Sequence, residues 1–596
     1  MATPTVTTWR PDPKHQRVAP IIPEEIENFA DEVRRFRAGD WVDDEFTKFR
    51  LRQGVYGQRQ PNRQMIRVKV PYGGITAHQM EVLGTVAERY APLKKGHVTT
   101  RENVQFHHVN LDDVPELLRI LGDAGLTTRE ACGNTMRNVV SCPKAGVCID
   151  EVFDTTPYAA AYARHFLRHP VTQMMPRKVK TSFSCGPKDC AISAIHDVGM
   201  VALVKDGKRG FKVVMGGGLS IMPRLAPTLY EFVTADDGEY IRVTEAAMRV
   251  FNRQDEERKN RMKARIKFTI DRLGIDRFRE LVEAELKNDW AKRPVPMKDL
   301  LYYDDEAVDA PPRPRAGTFG VNGSGPADFL AWKSTNVEPQ KQDGFVIAHV
   351  SLNRGDVFSD QWPKLAEISR RFAGGRARLD QQQNIVFRWV RKESVLDLFH
   401  ALKEIGLADA GRHTITDIVT CPGTDSCKLG ITSSMGLNKA LRETLATLDL
   451  DDPLIQQIHI KASGCPNSCG QHHVANIGFH GAAMKGEGGQ VPAYELFLGG
   501  QYEDGDVKIG TRIKTRVPAR RAPDALKAVL DYYRKERQAG EPFNRFVERV
   551  GVAPFETLFA TFKDVGPLNR DNIQNYMDWE RTVLYKLERG EGECAV

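Results

Sequence analysis

The 596-residue chain has no run of eighteen consecutive apolar residues, which excludes a helical membrane span of ordinary length. Its opening residues, MATPTVTTWRPDPKHQ, lack the basic-then-apolar layout of a secretory leader, so a cytoplasmic location is the expectation. There is no GxGxxG fingerprint and no other nucleotide-binding motif, which leaves no built-in flavin or nicotinamide site. Lys/Arg blocks and basic stretches interleaved with aromatics are also missing, so nucleic acid is not an expected partner. The excess of 85 basic over 78 acidic residues is small and favours acidic partners only slightly.

What the chain does have is ten cysteines, at 132, 142, 148, 185, 190, 421, 427, 465, 469 and 594. In a cytoplasmic protein these are not expected to form a disulfide framework. All but the last fall into two groups far apart in the chain, which points to a duplication.

The rest of the sequence supports the duplication. Residues 65–126 run strand, amphipathic helix, two strands, helix, and residues 344–407 repeat that order, with RENVQF answered by QQNIVF. VVSCPKAGVC at 139–148 mirrors IVTCPGTDSC at 418–427, and KTSFSCGPKDC mirrors HIKASGCPNSC. FKVVMGGGLS at 211–220 answers YELFLGGQYE at 494–503, and each half closes on a helical segment. The expected fold is α+β and internally duplicated: two ferredoxin-like βαββα half-domains and two larger α/β domains around a pseudo-two-fold axis. The expected divisions are an N-terminal arm 1–63, a half-domain 64–135, a larger domain 136–303, a Pro/Gly-rich linker 304–328, a half-domain 329–410, a larger domain 411–575 and a tail 576–596.

In the second half, Cys421-x5-Cys427 and Cys465-x3-Cys469 offer four thiolates, with Gly464, Pro466 and Gly470 allowing a tight loop. Read from spacing, an iron–sulfur cluster, a structural zinc site and four unrelated buried thiols all stay open, and a pair spaced by five fits zinc less well.

TCPGTDSC with GCPNSC resembles the paired signature of the sirohaem-containing sulfite and nitrite reductases, and with the duplication the resemblance covers nearly the whole chain from about Arg59. It implies that Cys421, Cys427, Cys465 and Cys469 hold a [4Fe–4S] cluster and that Cys469 also ligates sirohaem iron. It further implies an anion pocket of Arg67, Arg137, Lys178 and Lys180, and cofactor contacts from Arg101, Gln105 and Asn467. Asn103 is added because period two places it on the face of Arg101 and Gln105, and Lys178 and Lys180 are expected on one face of a strand. Gln382 stands in the second half where the first has Arg101, which fits a division of labour between the halves.

The implied reaction is the six-electron reduction of sulfite to sulfide or of nitrite to ammonia. Two lysines at 178 and 180 favour sulfite, since plant-type nitrite reductases tend to carry Asn at the second position and each added charge favours the more negative ligand. With no flavin motif, electrons are expected from a separate protein, a ferredoxin in preference to a flavoprotein subunit.

Three features stand apart. Cys142, Cys148 and Cys190 match cluster positions, whereas Cys185 is displaced by one residue, so the four are expected to be reduced thiols packed as small hydrophobes. Tyr56 and Cys132 match positions that some relatives join as a thioether. Cys594 lies in the tail and is expected to have no role.

Overall fold

The computed structural model describes residues 21–314, 325–590 and 592–593. Cys594 and the first twenty residues of the arm lie outside that range. In the first half, strand Arg63–Val68 pairs antiparallel with Val104–Asn110, which pairs with Lys95–Val98. Helix Ala77–Tyr90 starts at a capping box, with the Gln79 amide donating to the Thr76 hydroxyl at 3.2 Å and Thr76 N–H donating to Gln79 Oε1 at 3.1 Å. It buries Met80, Leu83, Val86 and Ala87 against the sheet, and helix Val114–Asp123 completes the unit. The second half repeats the order with strands Phe345–Val350, Arg376–Leu379 and Ile385–Arg391 and helices Gln361–Phe372 and Val395–Glu404.

One feature was not expected. Each sheet is completed by a three-residue strand from the other half: Gly74–Thr76 pairs with Arg376–Arg378, and Asp356–Phe358 pairs with Lys95–His97. The turns that launch these strands contain Gly73 (φ 66°) and Gly355 (φ 71°). A Cβ at Gly73 would sit 2.1 Å from the Leu379 carbonyl oxygen, and one at Gly355 would sit 2.6 Å from that of Val98. Only glycine combines that backbone with that approach. The exchange gives both half-domains one hydrophobic core, in which Ile66, Leu83 and Phe106 share a cluster with Trp362, Leu365 and Phe387.

The two larger units have matching sheets and separate cores. Val140–Ser141, Thr181–Ser184 and Val198–Lys205 run parallel, followed by antiparallel Lys208–Met215 and Thr228–Thr234. Val419–Thr420, Ile460–Ser463 and Ile477–Gly486 run parallel, followed by antiparallel Gly489–Leu498.

Two of the expected divisions need revision. Residues 55–57 form a strand paired with Arg63–Val68, so the end of the arm belongs to the first sheet and the division at 63 falls at a strand. Residues 304–314 are no loose tether: Glu306 is paired with Arg376, Arg378 and Arg388, and Asp304 and Asp309 with Arg376, bolting the segment to the second half-domain. Among the described residues no helix is long and apolar enough to cross a membrane.

Candidate functional site

Strands Val419–Thr420 and Ile460–Ser463 are parallel neighbours, with Val419 opposite Lys461 and Thr420 opposite Ala462, so both deliver cysteines at the same end of the sheet. Cys421 follows the first strand, a turn at Gly423–Asp425 leads to Cys427, and Cys465 and Cys469 follow the second. Gly464 N–H donates to Cys421 Sγ at 3.2 Å, and the Ser434 hydroxyl lies 3.4 Å from the same sulfur. Burial pushes the Cys421 thiol up to about 12, with the charge of Cys469 adding to it. Cys427 is raised by burial and then by Cys469, and Cys465 well above the usual range by burial and then by all three of the others. Backbone N–H groups of Leu429, Gly430 and Asn467 work the other way, favouring the thiolates. Four converging sulfurs that repel one another as thiolates, with amide donors aimed at them, fit a cationic iron core that deprotonates them on binding.

The first half faces this loop with a cluster of cations. Lys178 and Lys180 flank buried Val179, which bridges to Met136, so both point away from the core on one side. They precede the strand, which begins at Thr181, and were expected within it. The backbone N–H of Lys180 donates to Asp197 Oδ2 at 2.9 Å, and Arg265 Nε donates to Asp197 Oδ1 at 2.8 Å, so one fully buried carboxylate fixes the Lys180 backbone and the Arg265 guanidinium. Desolvation holds the Lys180 ammonium well below its ordinary 10.5; Arg101, Arg265 and Lys178 push the same way, and Cys469 opposes them. Arg101 is lowered to about 9 by desolvation and by Arg137 and Arg265, and it stays charged at neutral pH. Its guanidinium donates to the Asn138 carbonyl at 3.2 Å, while Asn138 Nδ2 donates to the Arg101 carbonyl at 2.9 Å.

Arg67 and Arg137 meet at the Ala131 carbonyl, at 3.1 and 2.9 Å, and Arg137 also grips the Gly133 carbonyl at 2.7 and 3.0 Å. With the Gln105 amide turned so that its oxygen faces Arg67, that oxygen accepts from Nε and Nη2 at 3.0 and 2.9 Å. A cavity of ≈ 240 Å³ opens beside Gly133, Asn134 and Arg177, rimmed by Arg52, Arg258 and Arg261. Glu257 and Glu593 also line that cavity, but around Asp197 the cations Arg101, Lys178, Lys180 and Arg265 outnumber the carboxylate between them, which fits a ligand carrying many negative charges, as the eight-carboxylate sirohaem does.

Several bonds join the faces, among them Arg59 Nη2 to the Gly430 carbonyl at 2.6 Å and Gln60 Nε2 to that of Asp425 at 2.8 Å. The Thr100 hydroxyl donates to the Cys469 carbonyl at 2.8 Å, and the Ser220 hydroxyl donates to Asn467 Oδ1 at 3.3 Å. The Ser220 bond places Asn467 against the glycine turn Gly216–Ser220, whose Gly218 and Leu219 carbonyls accept from Lys267 Nζ at 3.3 and 3.0 Å.

With this geometry in view, the comparisons are decisive. Residues 132–289 and 411–561 match the family model described as the nitrite and sulphite reductase 4Fe-4S domain, and 56–124 and 338–405 match the nitrite/sulfite reductase ferredoxin-like half domain. The chain belongs to the nitrite and sulfite reductase family. Its cofactors are accordingly a [4Fe–4S] cluster and sirohaem. A ferredoxin sulfite reductase of Mycobacterium tuberculosis is 30% identical over 81% of this chain and 82% of that protein. An assimilatory ferredoxin-dependent nitrite reductase of Haloferax mediterranei is 29% identical over 90% of this chain and 92% of that protein. The structure of the M. tuberculosis NirA protein superposes with a TM-score of 0.72 at 27% identity, covering 91% of this chain and all of that one.

Within the family's frame, one expectation fails. Asn103 does not share a strand face with Arg101 and Gln105; Arg101 and Asn103 lie in the turn before the strand, and Asn103 Oδ1 turns back to accept from the Thr99 hydroxyl at 2.6 Å. Tyr56 and Cys132 do come together, in a cluster with Leu51 and Met65, and Arg67 Nη1 lies 3.4 Å from Cys132 Sγ. Sequence reasoning missed Asp197, Arg265, Asn138 and Thr100. Asp197 was detectable, since its counterpart Asn476 serves the same backbone role, accepting from His459 N–H at 2.6 Å.

Proposed function

We propose that the chain reduces sulfite to sulfide with six electrons drawn from a small acidic ferredoxin. The observation that carries this reading is the placement of Lys178 and Lys180 on one side of Val179, with Lys180 in the field of Arg101, Arg265 and Cys469. In it, Cys421, Cys427, Cys465 and Cys469 would hold the cluster, Cys469 would also serve the sirohaem, and Arg101, Gln105 and Asn467 would contact that group. When bound, the pair would supply the electrons for the reduction.

The protein's own residues do the rest. Arg67 and Arg137, fixed in place by the Ala131 and Gly133 carbonyls, supply positive charge to hold an oxyanion. Lys180, whose ammonium is made more acidic by desolvation and then by its cationic neighbours, donates a proton from Nζ as substrate oxygen leaves as water. Lys178 carries the second positive charge, which favours an anion of higher charge over nitrite.

Nitrite reduction to ammonia by the same site is the second reading, favoured by relatives named as nitrite reductases. The test is kcat/KM for both anions with a reduced viologen donor. A preference for sulfite supports the charge argument; a preference for nitrite overturns it.

A further inference from the structure

The four cysteines of the first half are not scattered in its core. The sulfurs of Cys142, Cys185 and Cys190 all lie within 4.8 Å of one another, and Cys185 and Cys190 are 3.5 Å apart. Cys148 packs into the same cluster with Cys142, Cys185 and Ala145. Cys142 is carried by the end of strand Val140–Ser141 and Cys185 by the end of its parallel neighbour Thr181–Ser184, and the turn from Cys142 to Cys148 is closed by Ala145 N–H to the Cys142 carbonyl at 3.1 Å.

Cys185 occupies the position of Gly464, and Gly186 that of Cys465. The two registers exclude each other sterically. A Cβ at Gly186 would lie 2.8 Å from the Asp150 carbonyl oxygen, and one at Gly464 would lie 2.5 Å from Gly423 Cα. A one-residue shift turns a side chain to the other face of an extended segment. The shift therefore aims Cys185 inward on Cys142 and Cys190 and contracts the site relative to the cluster loops of the second half.

We infer that Cys142, Cys148, Cys185 and Cys190 bind a single tetrahedral divalent ion of the zinc class. With metal–sulfur bonds of about 2.3 Å, the sulfurs of a tetrahedral tetrathiolate lie about 3.8 Å apart; those of Cys142, Cys185 and Cys190 already meet within 4.8 Å, closer than a four-iron core requires, and Cys148 packs beside them as the fourth ligand. Lys144, paired with Glu338, and Lys188, paired with Asp150, bring positive charge near the four sulfurs. A cavity of ≈ 220 Å³ lined by Cys148, Cys185 and Cys190 gives the ion a way in. The family's iron chemistry does not use this site, so it acts as a clamp on the first-half loops, where the second half has its cluster.

The test is elemental analysis of the purified holoenzyme with zinc-edge X-ray absorption. The expected result is about one zinc per chain beside about five irons, with the zinc shell fitted by four sulfurs near 2.3 Å. Cys142→Ser with Cys185→Ser should lose the zinc and keep the iron and the haem absorption. Should that variant fail to fold, the wild-type stoichiometry and sulfur shell still decide the matter. Iron near nine per chain would replace the inference with a second cluster. A disulfide among these four cysteines, located by non-reducing peptide mapping, or four alkylatable thiols without zinc, would each overturn it.

Discussion

The Thr100 hydroxyl donates to the backbone carbonyl of Cys469 at 2.8 Å, tying the cysteine assigned to both redox centres to the half that supplies the cations. A single neutral hydrogen bond contributes about 1 kcal/mol. Thr100→Val is therefore expected to leave both cofactors bound and to broaden the spectroscopic signature of the shared centre, as seen by electron paramagnetic resonance. An unchanged spectrum would show that the bond does not position Cys469.

Lys180→Asn keeps a polar group and removes the charge. The loss of a positioned proton donor corresponds to roughly 100-fold in kcat/KM for sulfite. For nitrite the loss should be smaller, because one charge matters less to a monoanion. Equal losses for both anions would assign Lys180 to proton delivery alone.

Cys421→Ser removes a sulfur that accepts from Gly464 N–H and sits against Ser434. The variant should purify with the cluster iron lost or greatly reduced, measured as iron per chain. Retention of a full complement would displace Cys421 from the ligand set.

Glu593 is buried near the end of the chain, where it pairs with Arg50 and Lys428 and accepts from Gly57 N–H at 2.8 Å. Burial alone would raise its carboxyl, but Arg50 and then Lys428 outweigh that and hold it at about 2, below the ordinary 4.5. A depressed carboxylate stabilises the fold above its unfolded value and loses that contribution as pH falls through the folded one. The stabilisation is present above pH 4.5 and disappears between there and about 2. Glu593→Gln should cost about 2 to 3 kcal/mol at pH 7 and flatten the acid limb of a melting-temperature profile across that window.

Tyr56 and Cys132 share one small cluster. If they are joined as a thioether, the intact mass falls by two hydrogens and Cys132→Ser restores them. An unshifted wild-type mass would leave them as packed neighbours.

The duplication was legible because whole segments recur, and CPGTDSC with GCPNSC pointed to the cluster loops through a resemblance where spacing alone left zinc and free thiols open. The strand exchange was not, since Gly74–Thr76 and Asp356–Phe358 are too short for alternation to register. Lys178 and Lys180 were found through a resemblance, but the strand assigned to them starts one residue later, at Thr181. Asn103 misled because period two was applied across a turn. Arg265 was invisible because it reaches Asp197 from a distant helix start, and nothing local marks such a contact. The first-half cysteines were read as inert because one of them is out of step, and that displacement is the feature that draws their sulfurs together.

The exchanged strands have a consequence for how such a chain came to exist. Each half alone would leave a sheet edge missing its last strand and a core missing its other wall, so neither is a self-sufficient ancestor. The arrangement matches an ancestral pair of identical subunits that traded short segments across their dyad and were later joined head to tail. Once fused, the copies were free to diverge in cofactor while remaining interlocked, and cutting the connection between them would not release one from the other.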